Sequence, residues 1–222
     1  MQLILLGLPG AGKGTQAKVL ADRYGLVHVS TGDMFREAAA AETELGVRAQ
    51  EYVSQGELVP DELTIGMLLE RIEQPDAAAG TMLDGFPRTI PQAEALDAAL
   101  GDRDQAIDGV MYIQVPEELL MARLTGRWTC PGCGAIYHEL MHAPRQQGAC
   151  DECGEQITQR ADDQPETVSV RLAANRESTD ALAGYYRAQS KLHDVEGTGE
   201  PADVTTRLVT ILDDLSARVE KA

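Results

Sequence analysis

The residues with the clearest chemical signature lie near the start of the chain, where positions 7–15 read Gly-Leu-Pro-Gly-Ala-Gly-Lys-Gly-Thr. Glycines at this spacing leave backbone N–H groups free to converge on phosphate oxygens at the start of a helix. Lys13 adds an ammonium for the terminal phosphates. The segment follows the apolar run 3–6 and precedes apolar residues at helical spacing, which is the strand, loop and helix order of a P-loop. We predict that the chain binds a nucleoside triphosphate.

One position departs from the common P-loop pattern. Gly14 stands where most P-loop proteins carry the Ser or Thr whose hydroxyl binds Mg²⁺, and the hydroxyl comes one residue later, at Thr15. Direct binding of Mg²⁺ by a P-loop hydroxyl is therefore in question. Asp84 follows another apolar run and precedes a glycine, a position from which a carboxylate can hold Mg²⁺ through water.

A second chemical signal comes from the cysteines. The four cysteines of the chain form two Cys-x-x-Cys pairs separated by sixteen residues: Cys130 and Cys133, then Cys150 and Cys153. This spacing predicts a four-thiolate zinc site, with two disulfides as the alternative that reducing conditions disfavour. Four thiolates complete a tetrahedron and leave no open position for catalysis. We therefore predict a structural zinc ion without the nearby His138 or His142 as ligands.

The composition narrows the classes of partner. The chain of 222 residues carries 36 acidic and 19 basic residues, a formal net charge of −17. Such a surface repels nucleic acid and anionic lipid. No apolar run approaches the roughly 18 residues of a membrane span, and the N-terminus lacks the pattern of a cleavable signal. We expect no nucleic acid partner, no membrane and a cytoplasmic location, and the acidic surface indicates either a high-salt cytoplasm or an ordinary acidic protein.

Short apolar runs predict the strands that must position these residues. They recur at residues 3–6, 26–29, 81–84, 110–115 and 192–196, separated mostly by helical patterns. Such alternation is typical of a parallel α/β sheet. Helices are predicted over residues 61–73, from Pro165 towards Tyr186 and from Pro201 to near Val219. Residues 30–59 interrupt the alternation as a small helical insertion, and residues 127–163 as an insertion held by something other than an apolar core.

Four ordered motifs together point to a family. Besides the glycine loop they are Ser-Thr-Gly-Asp-Met at 30–34, Asp-Gly-Phe-Pro-Arg-Thr at 84–89 with Gln92, and Gln-Arg-Ala-Asp-Asp at 159–163. Over essentially its whole length the chain resembles adenylate kinase, in the bacterial-type long form with a zinc-bearing lid. The resemblance implies the P-loop nucleoside monophosphate kinase fold, a five-stranded parallel sheet flanked by helices. It also implies three units: a core of residues 1–29, 60–126 and 164–222, a nucleoside monophosphate-binding domain of residues 30–59, and a zinc-binding lid of residues 127–163.

The resemblance implies three sets of site residues. The catalytic set is Lys13, Arg88, Arg123, Arg160 and Arg171. The ATP-binding set is Gly10, Ala11, Gly12, Lys13, Gly14, Thr15, Arg127, Ile136, Tyr137 and Gly199. The AMP-binding set is Thr31, Arg36, Glu57, Leu58, Val59, Gly85, Phe86, Pro87, Arg88, Gln92, Arg160 and Arg171. Within the last set, the Gln92 amide is expected to meet the adenine of AMP.

The implied reaction is the reversible conversion of ATP and AMP to two ADP by a monomer, with Mg²⁺ bound by the nucleotide. Phosphoryl transfer requires that the two substrates are positioned and that the charge of the transferred group is stabilised, and it needs little covalent catalysis. Clustered arginines can both position the substrates and stabilise the charge. An acceptor phosphate is already deprotonated at neutral pH, so Asp162 and Asp163 are expected to form salt bridges or serve the lid hinge, not to act as a general base. Two alternatives stay open: a UMP/CMP kinase, expected to carry Asn at position 92, and a nucleotide-gated switch or binding module.

Overall fold

The structure, a computed structural model, describes residues 1–219. Numbered in chain order, its strands are β1 (Gln2–Leu6), β2 (Val27–Ser30), β3 (Thr81–Asp84), β4 (Gly109–Gln114), β5 (Arg127–Thr129), β6 (Ile136–His138) and β7 (Leu192–Glu196). Its α-helices are α1 (Lys13–Tyr24), α2 (Thr31–Ala40), α3 (Glu44–Gln55), α4 (Asp61–Ile72), α5 (Ile90–Gly101), α6 (Glu117–Thr125), α7 (Pro165–Ala188) and α8 (Pro201–Val219). The five predicted strands are confirmed to within one residue at each end. The predicted core range 164–222 extends over residues 220–222, which lie outside the described residues.

The predicted strands form one parallel sheet in the order β2-β3-β1-β4-β7, which confirms the α/β fold. Ser30 pairs with Asp84 across β2 and β3, and Leu5 pairs with Asp84 across β1 and β3. The carboxyl ends of these three strands therefore lie side by side, and the P-loop leaves β1 at the same edge. Parallel sheets bind ligands beyond the carboxyl ends of their strands, so the topology places the site here.

Both faces of the sheet are covered, which explains why its strands read as continuous apolar runs. Side chains of β1 alternate between the two faces. Leu3 and Leu5 belong to a cluster with α1, α6 and α8, whereas Ile4 and Leu6 belong to a second cluster with α4, α5 and α7. All four are at most 4% exposed. The central strand is thus fixed from two sides, and the P-loop that follows it starts from a rigid base.

The segment between β2 and α4 is helical, as its pattern predicts. Ser30 ends β2 and caps α2, because its Oγ accepts a hydrogen bond from the Asp33 N–H at 3.2 Å. Helices α2 and α3 contribute buried Phe35 and Ala49 to a small cluster that also contains Val59. The boundary of this segment as a domain of residues 30–59 stays a prediction.

The cysteine-bearing segment differs in one respect from its prediction. Strands β5 and β6 pair antiparallel, and a small cluster is buried beside them, formed by Cys130, Ala135, Tyr137, Cys150 and Ile157. The segment therefore has a small apolar cluster of its own. Two of its five members are cysteines, so this packing and the predicted metal site coincide. Across residues 1–219, none of the helices is long and apolar enough to cross a membrane.

Candidate functional site

A cavity of about 1440 Å³ opens beyond the carboxyl ends of β1, β2 and β3 and is bounded by the P-loop, α2, α7 and the cysteine segment. Nine of its lining residues are lysine or arginine, whereas four, Asp33, Glu37, Asp84 and Glu200, are acidic. The whole chain has the opposite balance, with 36 acidic and 19 basic residues. The cavity is therefore built for an anionic ligand.

The P-loop takes a conformation that requires its glycines. Gly10 has a φ of 84°, and a Cβ there would lie 3.0 Å from the side chain of Leu124. Gly14 has a different reason, because a Cβ at this position would lie 3.2 Å from Asp84 Oδ2. A side chain at position 14, where most P-loops carry a hydroxyl, would therefore lie against the carboxylate at the end of β3.

Lys13 is the cation at the centre of the loop. Its ammonium donates hydrogen bonds to the carbonyl oxygens of Gly7 at 2.7 Å and of Leu8 at 3.1 Å. Burial lowers the pKa of Lys13 to about 8, an effect that Asp84 partly opposes and that neighbouring arginines reinforce. An anion beside this ammonium would favour its charged form.

Asp84 fits the predicted magnesium role. Its side chain is 13% exposed and lines the cavity at the foot of the P-loop. Its nearest basic neighbour is His28 on β2, with His28 Nε2 3.7 Å from Asp84 Oδ2. A single carboxylate beside a phosphate site is the kind of protein ligand that Mg²⁺ accepts, since this ion keeps most of its water shell.

Five arginines line the same cavity as Lys13: Arg36, Arg88, Arg127, Arg160 and Arg171. Burial lowers the pKa of Arg88, and the charges of Arg171 and Arg36 lower it further. Burial also lowers the pKa of Arg160 to about 10, with Arg127 and Arg36 adding to the effect. The Nε of Arg160 is buried and has no hydrogen-bond partner within residues 1–219. A buried guanidinium N–H without an acceptor indicates a site for an anion.

Two carboxylates outside the cavity lining form salt bridges with arginines of this cluster. Asp163 is fully buried and accepts hydrogen bonds from Arg127 Nε at 2.8 Å, Arg127 Nη2 at 2.6 Å and Arg171 Nη1 at 3.1 Å. Asp162 Oδ2 lies 3.0 Å from Arg171 Nη1. The prediction that these two residues form salt bridges is confirmed, and neither lines the cavity as a general base would.

Arg123, which the resemblance places in the catalytic set with Arg88, Arg160 and Arg171, also lines the cavity. Its Nη2 donates to the carbonyl oxygen of Gly197 at 3.1 Å. Burial alone lowers its pKa, with no contribution from a charged neighbour. It therefore stands at the Gly199 end of the cavity, where the loop after β7 also contributes to the lining.

The ATP-binding set lines the cavity in full, from Gly10 through Gly199. Ile136 of β6 is 38% exposed and offers an apolar surface to it. The Tyr137 ring points the other way, because its hydroxyl accepts from the Asp151 N–H at 2.7 Å inside the cysteine segment. Tyr137 therefore contributes its backbone more than its phenol to the cavity.

The AMP-binding set is only partly open to the cavity. Arg36, Gly85, Pro87, Arg88, Arg160 and Arg171 line it, whereas Thr31, Glu57, Leu58, Val59, Phe86 and Gln92 do not. Gln92 is 1% exposed. Hydrogen bonds nevertheless link the two groups: the Gly85 carbonyl accepts from Thr31 Oγ1 and from Arg88 Nε, each at 2.8 Å, and Gln92 Oε1 accepts from the Arg88 N–H at 2.7 Å. Residues that are predicted to bind phosphate and residues that are predicted to bind the base are thus parts of one network.

The four cysteine Sγ atoms lie within 4.8 Å of one another. Cys130 and Cys153 are 3.4 Å apart and Cys133 and Cys150 are 3.5 Å apart at sulfur, and all four are free thiols. Tetrahedral zinc with bonds of about 2.3 Å separates its sulfurs by roughly 3.8 Å, so the cluster fits a zinc ion better than two disulfides. His138 is engaged elsewhere, since its Nε2 lies 3.1 Å from the Ala122 carbonyl oxygen.

Sequence reasoning missed two residues of this site. Asp61 accepts a hydrogen bond from Gln92 Nε2 at 2.7 Å, and His28 faces Asp84. The position of Asp61, directly after Pro60 and beside the predicted base-binding stretch 57–59, is the only sequence signal that points to it. His28 carries no such signal, because its partner is 56 residues away in the chain.

Comparisons with known proteins agree on one family. A family model described as adenylate kinase matches residues 5–191. The adenylate kinase of Enterococcus faecalis is 49% identical over 215 residues, 96% of this chain and 100% of that protein. That of Archaeoglobus fulgidus is 48% identical over 217 residues, 98% of this chain and 100% of that protein. That of Staphylococcus aureus is 49% identical over 215 residues, 97% of this chain and 100% of that protein.

Proposed function

Because the chain belongs to the adenylate kinase family, we propose that its cavity binds ATP and AMP together and places them for transfer of the terminal phosphoryl group. The chain is an enzyme of the nucleoside monophosphate kinase class, and its reaction is the reversible conversion of ATP and AMP to two ADP.

The observation that carries the proposal is the reversed charge of the cavity. A chain with a net charge of −17 surrounds this one space with nine basic and four acidic residues. Two bound nucleotides bring several negative charges, which satisfy the unpaired Arg160 and the buried Lys13. Four of the nine basic residues pair with carboxylates of the chain, whereas Lys13, Lys18, Arg88, Arg123 and Arg160 form no salt bridge within residues 1–219, and a single small anion would leave several of these five without a partner.

On the donor side, the P-loop backbone holds the phosphates of ATP and Lys13 contacts the terminal ones. The ammonium of Lys13 already points across the loop, where it contacts the Gly7 and Leu8 carbonyls. Nucleotide phosphate would replace these contacts and raise the pKa of Lys13 above about 8. Arg123, Ile136 and Gly199 line the end of the cavity that we assign to the donor base.

On the acceptor side, Arg36 and Arg88 hold the phosphate of AMP, and Arg160 and Arg171 stabilise the charge that moves between the nucleotides. The negative charge on the acceptor oxygen makes a general base unnecessary. Asp163 keeps Arg127 and Arg171 in place without entering the cavity. Catalysis by these residues is positioning together with electrostatic stabilisation.

The base of AMP is recognised by Gln92 and the stretch 57–59. Val59 and Gln92 are buried in the present conformation, whereas Glu57 is exposed and Leu58 is half-buried, so access of the base to Gln92 requires a movement of the segment that contains α2 and α3. Closure of that segment and of the cysteine segment over the nucleotides would also exclude water, which protects ATP from hydrolysis.

Two metal ions complete the proposal. Mg²⁺ bound to the nucleotide neutralises phosphate charge, and Asp84 would hold it through water. Zn²⁺ bound by the four cysteines would fix the lid. We also propose that the chain works as a monomer in the cytoplasm, where free thiols persist.

The test is a coupled assay that follows ADP formation from ATP with AMP, UMP, CMP or GMP as the acceptor. AMP is expected to be preferred by a large factor in kcat/KM. A preference for UMP or CMP would instead indicate the pyrimidine-specific sister enzyme. Absence of ADP formation with every acceptor, AMP included, would indicate a nucleotide-gated switch or binding module in place of a kinase.

A further inference from the structure

The Gln92 amide is held in one orientation by Asp61, a residue that lies outside the AMP-binding set. We propose that Asp61 determines the specificity of the acceptor site for a 6-aminopurine over a 6-oxopurine, by fixing which end of the amide faces the base. The inference rests on the proposed contact between Gln92 and the acceptor base.

Asp61 is the first residue of α4, and both of its carboxylate oxygens are engaged with α5. Oδ1 accepts from Gln92 Nε2 at 2.7 Å, and Oδ2 accepts from Thr89 Oγ1 at 2.9 Å. Thr89 in turn caps α5, because its Oγ1 accepts from the Gln92 N–H at 3.3 Å. The carboxylate is therefore fixed at two points.

The opposite end of the amide is fixed as well. Gln92 Oε1 accepts from the Arg88 N–H at 2.7 Å. A carboxylate only accepts and a backbone N–H only donates, so reversal of the amide would place oxygen against oxygen at Asp61 and N–H against N–H at Arg88. Gln92 is 1% exposed, and little solvent is available to offset such contacts.

The two contacts leave a defined pattern on Gln92. An amide nitrogen has two hydrogens and its oxygen has two lone pairs, and Asp61 and Arg88 each use one. One donor on Nε2 and one acceptor on Oε1 remain. The edge of adenine offers the complement, an acceptor at N1 and a donor at the 6-amino group. Hypoxanthine and guanine carry N1–H and a 6-oxo group, so both contacts with Gln92 become repulsive.

The experiment compares AMP with inosine monophosphate, which differs from AMP only in these two groups. Asp61→Asn removes the constraint, because an asparagine can present either oxygen or NH₂ to Gln92. The ratio of kcat/KM for AMP to that for inosine monophosphate is expected to fall about tenfold, the loss of one charge-assisted hydrogen bond. KM for ATP is expected to stay unchanged. Glu62→Gln is the control, since it removes an exposed carboxylate from the same helical turn.

Each outcome has a defined meaning. A folded Asp61→Asn variant with an unchanged ratio, or with equal losses for both acceptors, overturns the inference. Gln92→Ala separates this result from the proposed function: if it raises KM for AMP, the base contact stands and only the role of Asp61 is lost. If Gln92→Ala leaves KM for AMP unchanged, both proposals fail. If Asp61→Asn does not fold, Asp61→Ser tests the same inference, because the serine hydroxyl can either donate or accept a hydrogen bond.

Discussion

Asp163 is the buried carboxylate that supports the cationic side of the cavity, and we predict that Asp163→Asn strongly destabilises the protein in the absence of nucleotide. Its side chain is 0% exposed and accepts three hydrogen bonds from Arg127 and Arg171, whose side chains are each 16% exposed. Asparagine keeps the volume and one acceptor oxygen but loses the negative charge. Arg127 then lies beside Arg160 without the charge of Asp163, and Arg171 keeps only Asp162 as a carboxylate partner.

The expected magnitude follows from this burial. Removal of one partner of a buried ion pair costs about 3–5 kcal/mol, and the remaining oxygen of asparagine places Asp163→Asn near about 3 kcal/mol. For a chain of this length, such a loss lowers the melting temperature by about 6–12 °C. It is also a large part of a total stability of about 5–15 kcal/mol.

Urea denaturation followed by circular dichroism measures the loss, with and without saturating ADP. ADP is expected to stabilise Asp163→Asn more than the wild type, because phosphate supplies the negative charge that the variant lacks. Two control variants remove carboxylates that are less buried than Asp163. Asp162→Asn, at a side chain that is 11% exposed, is expected to lower the free energy of unfolding by about 1 kcal/mol. Asp76→Asn removes a carboxylate that is 56% exposed and pairs with Arg71, and no measurable change is expected.

A urea midpoint that shifts no more in Asp163→Asn than in Asp76→Asn would contradict this prediction. Equal stabilisation of Asp163→Asn and the wild type by ADP would also contradict it, because the destabilisation would then not arise from unbalanced cations.

Three further predictions concern the P-loop, the acceptor arginines and the metal site. Lys13→Ala and Arg88→Ala are each expected to lower kcat by orders of magnitude in a folded protein. Arg88→Lys is expected to restore little activity, because lysine lacks the planar fork of arginine. Turnover of Lys13→Ala within a few-fold of wild type would contradict this prediction. The ammonium of Lys13 loses its proton as pH rises through about 8, so kcat/KM for ATP is expected to fall above that pH while kcat falls only at higher pH. Coincident alkaline limbs would contradict a phosphate contact. Cys130→Ser or a strong chelator is expected to lower the melting temperature and raise KM for ATP while some turnover remains at low temperature, and elemental analysis is expected to give one zinc per chain.

Much of the fold could be predicted from short-range pattern. The apolar runs of β1 and β3 identify strands because their side chains alternate between two buried faces of one sheet. The geometry of the glycine loop and of each Cys-x-x-Cys pair depends on only a few neighbouring residues, so the kind of ligand can be predicted from the sequence. The resemblance to a family extended these local signals into a list of site residues.

Other features depend on contacts between residues far apart in the chain. Gln92 reaches Asp61 across 31 positions, and Arg127 reaches Asp163 across 36. Arg123 donates to the carbonyl oxygen of Gly197, 74 positions away. A charged residue has many potential partners at such separations, and only the packed helices and loops decide which of them it meets.

The parallel sheet, the phosphate-binding loop and the grouping of four thiols can be predicted from the chain alone, because each follows from the local geometry of the backbone or from spacing along the chain. The partners of the cations and the orientation of the Gln92 amide are visible only in the folded protein. A buried charge or amide is oriented by its neighbours in space, and those neighbours come from elements that meet only after folding.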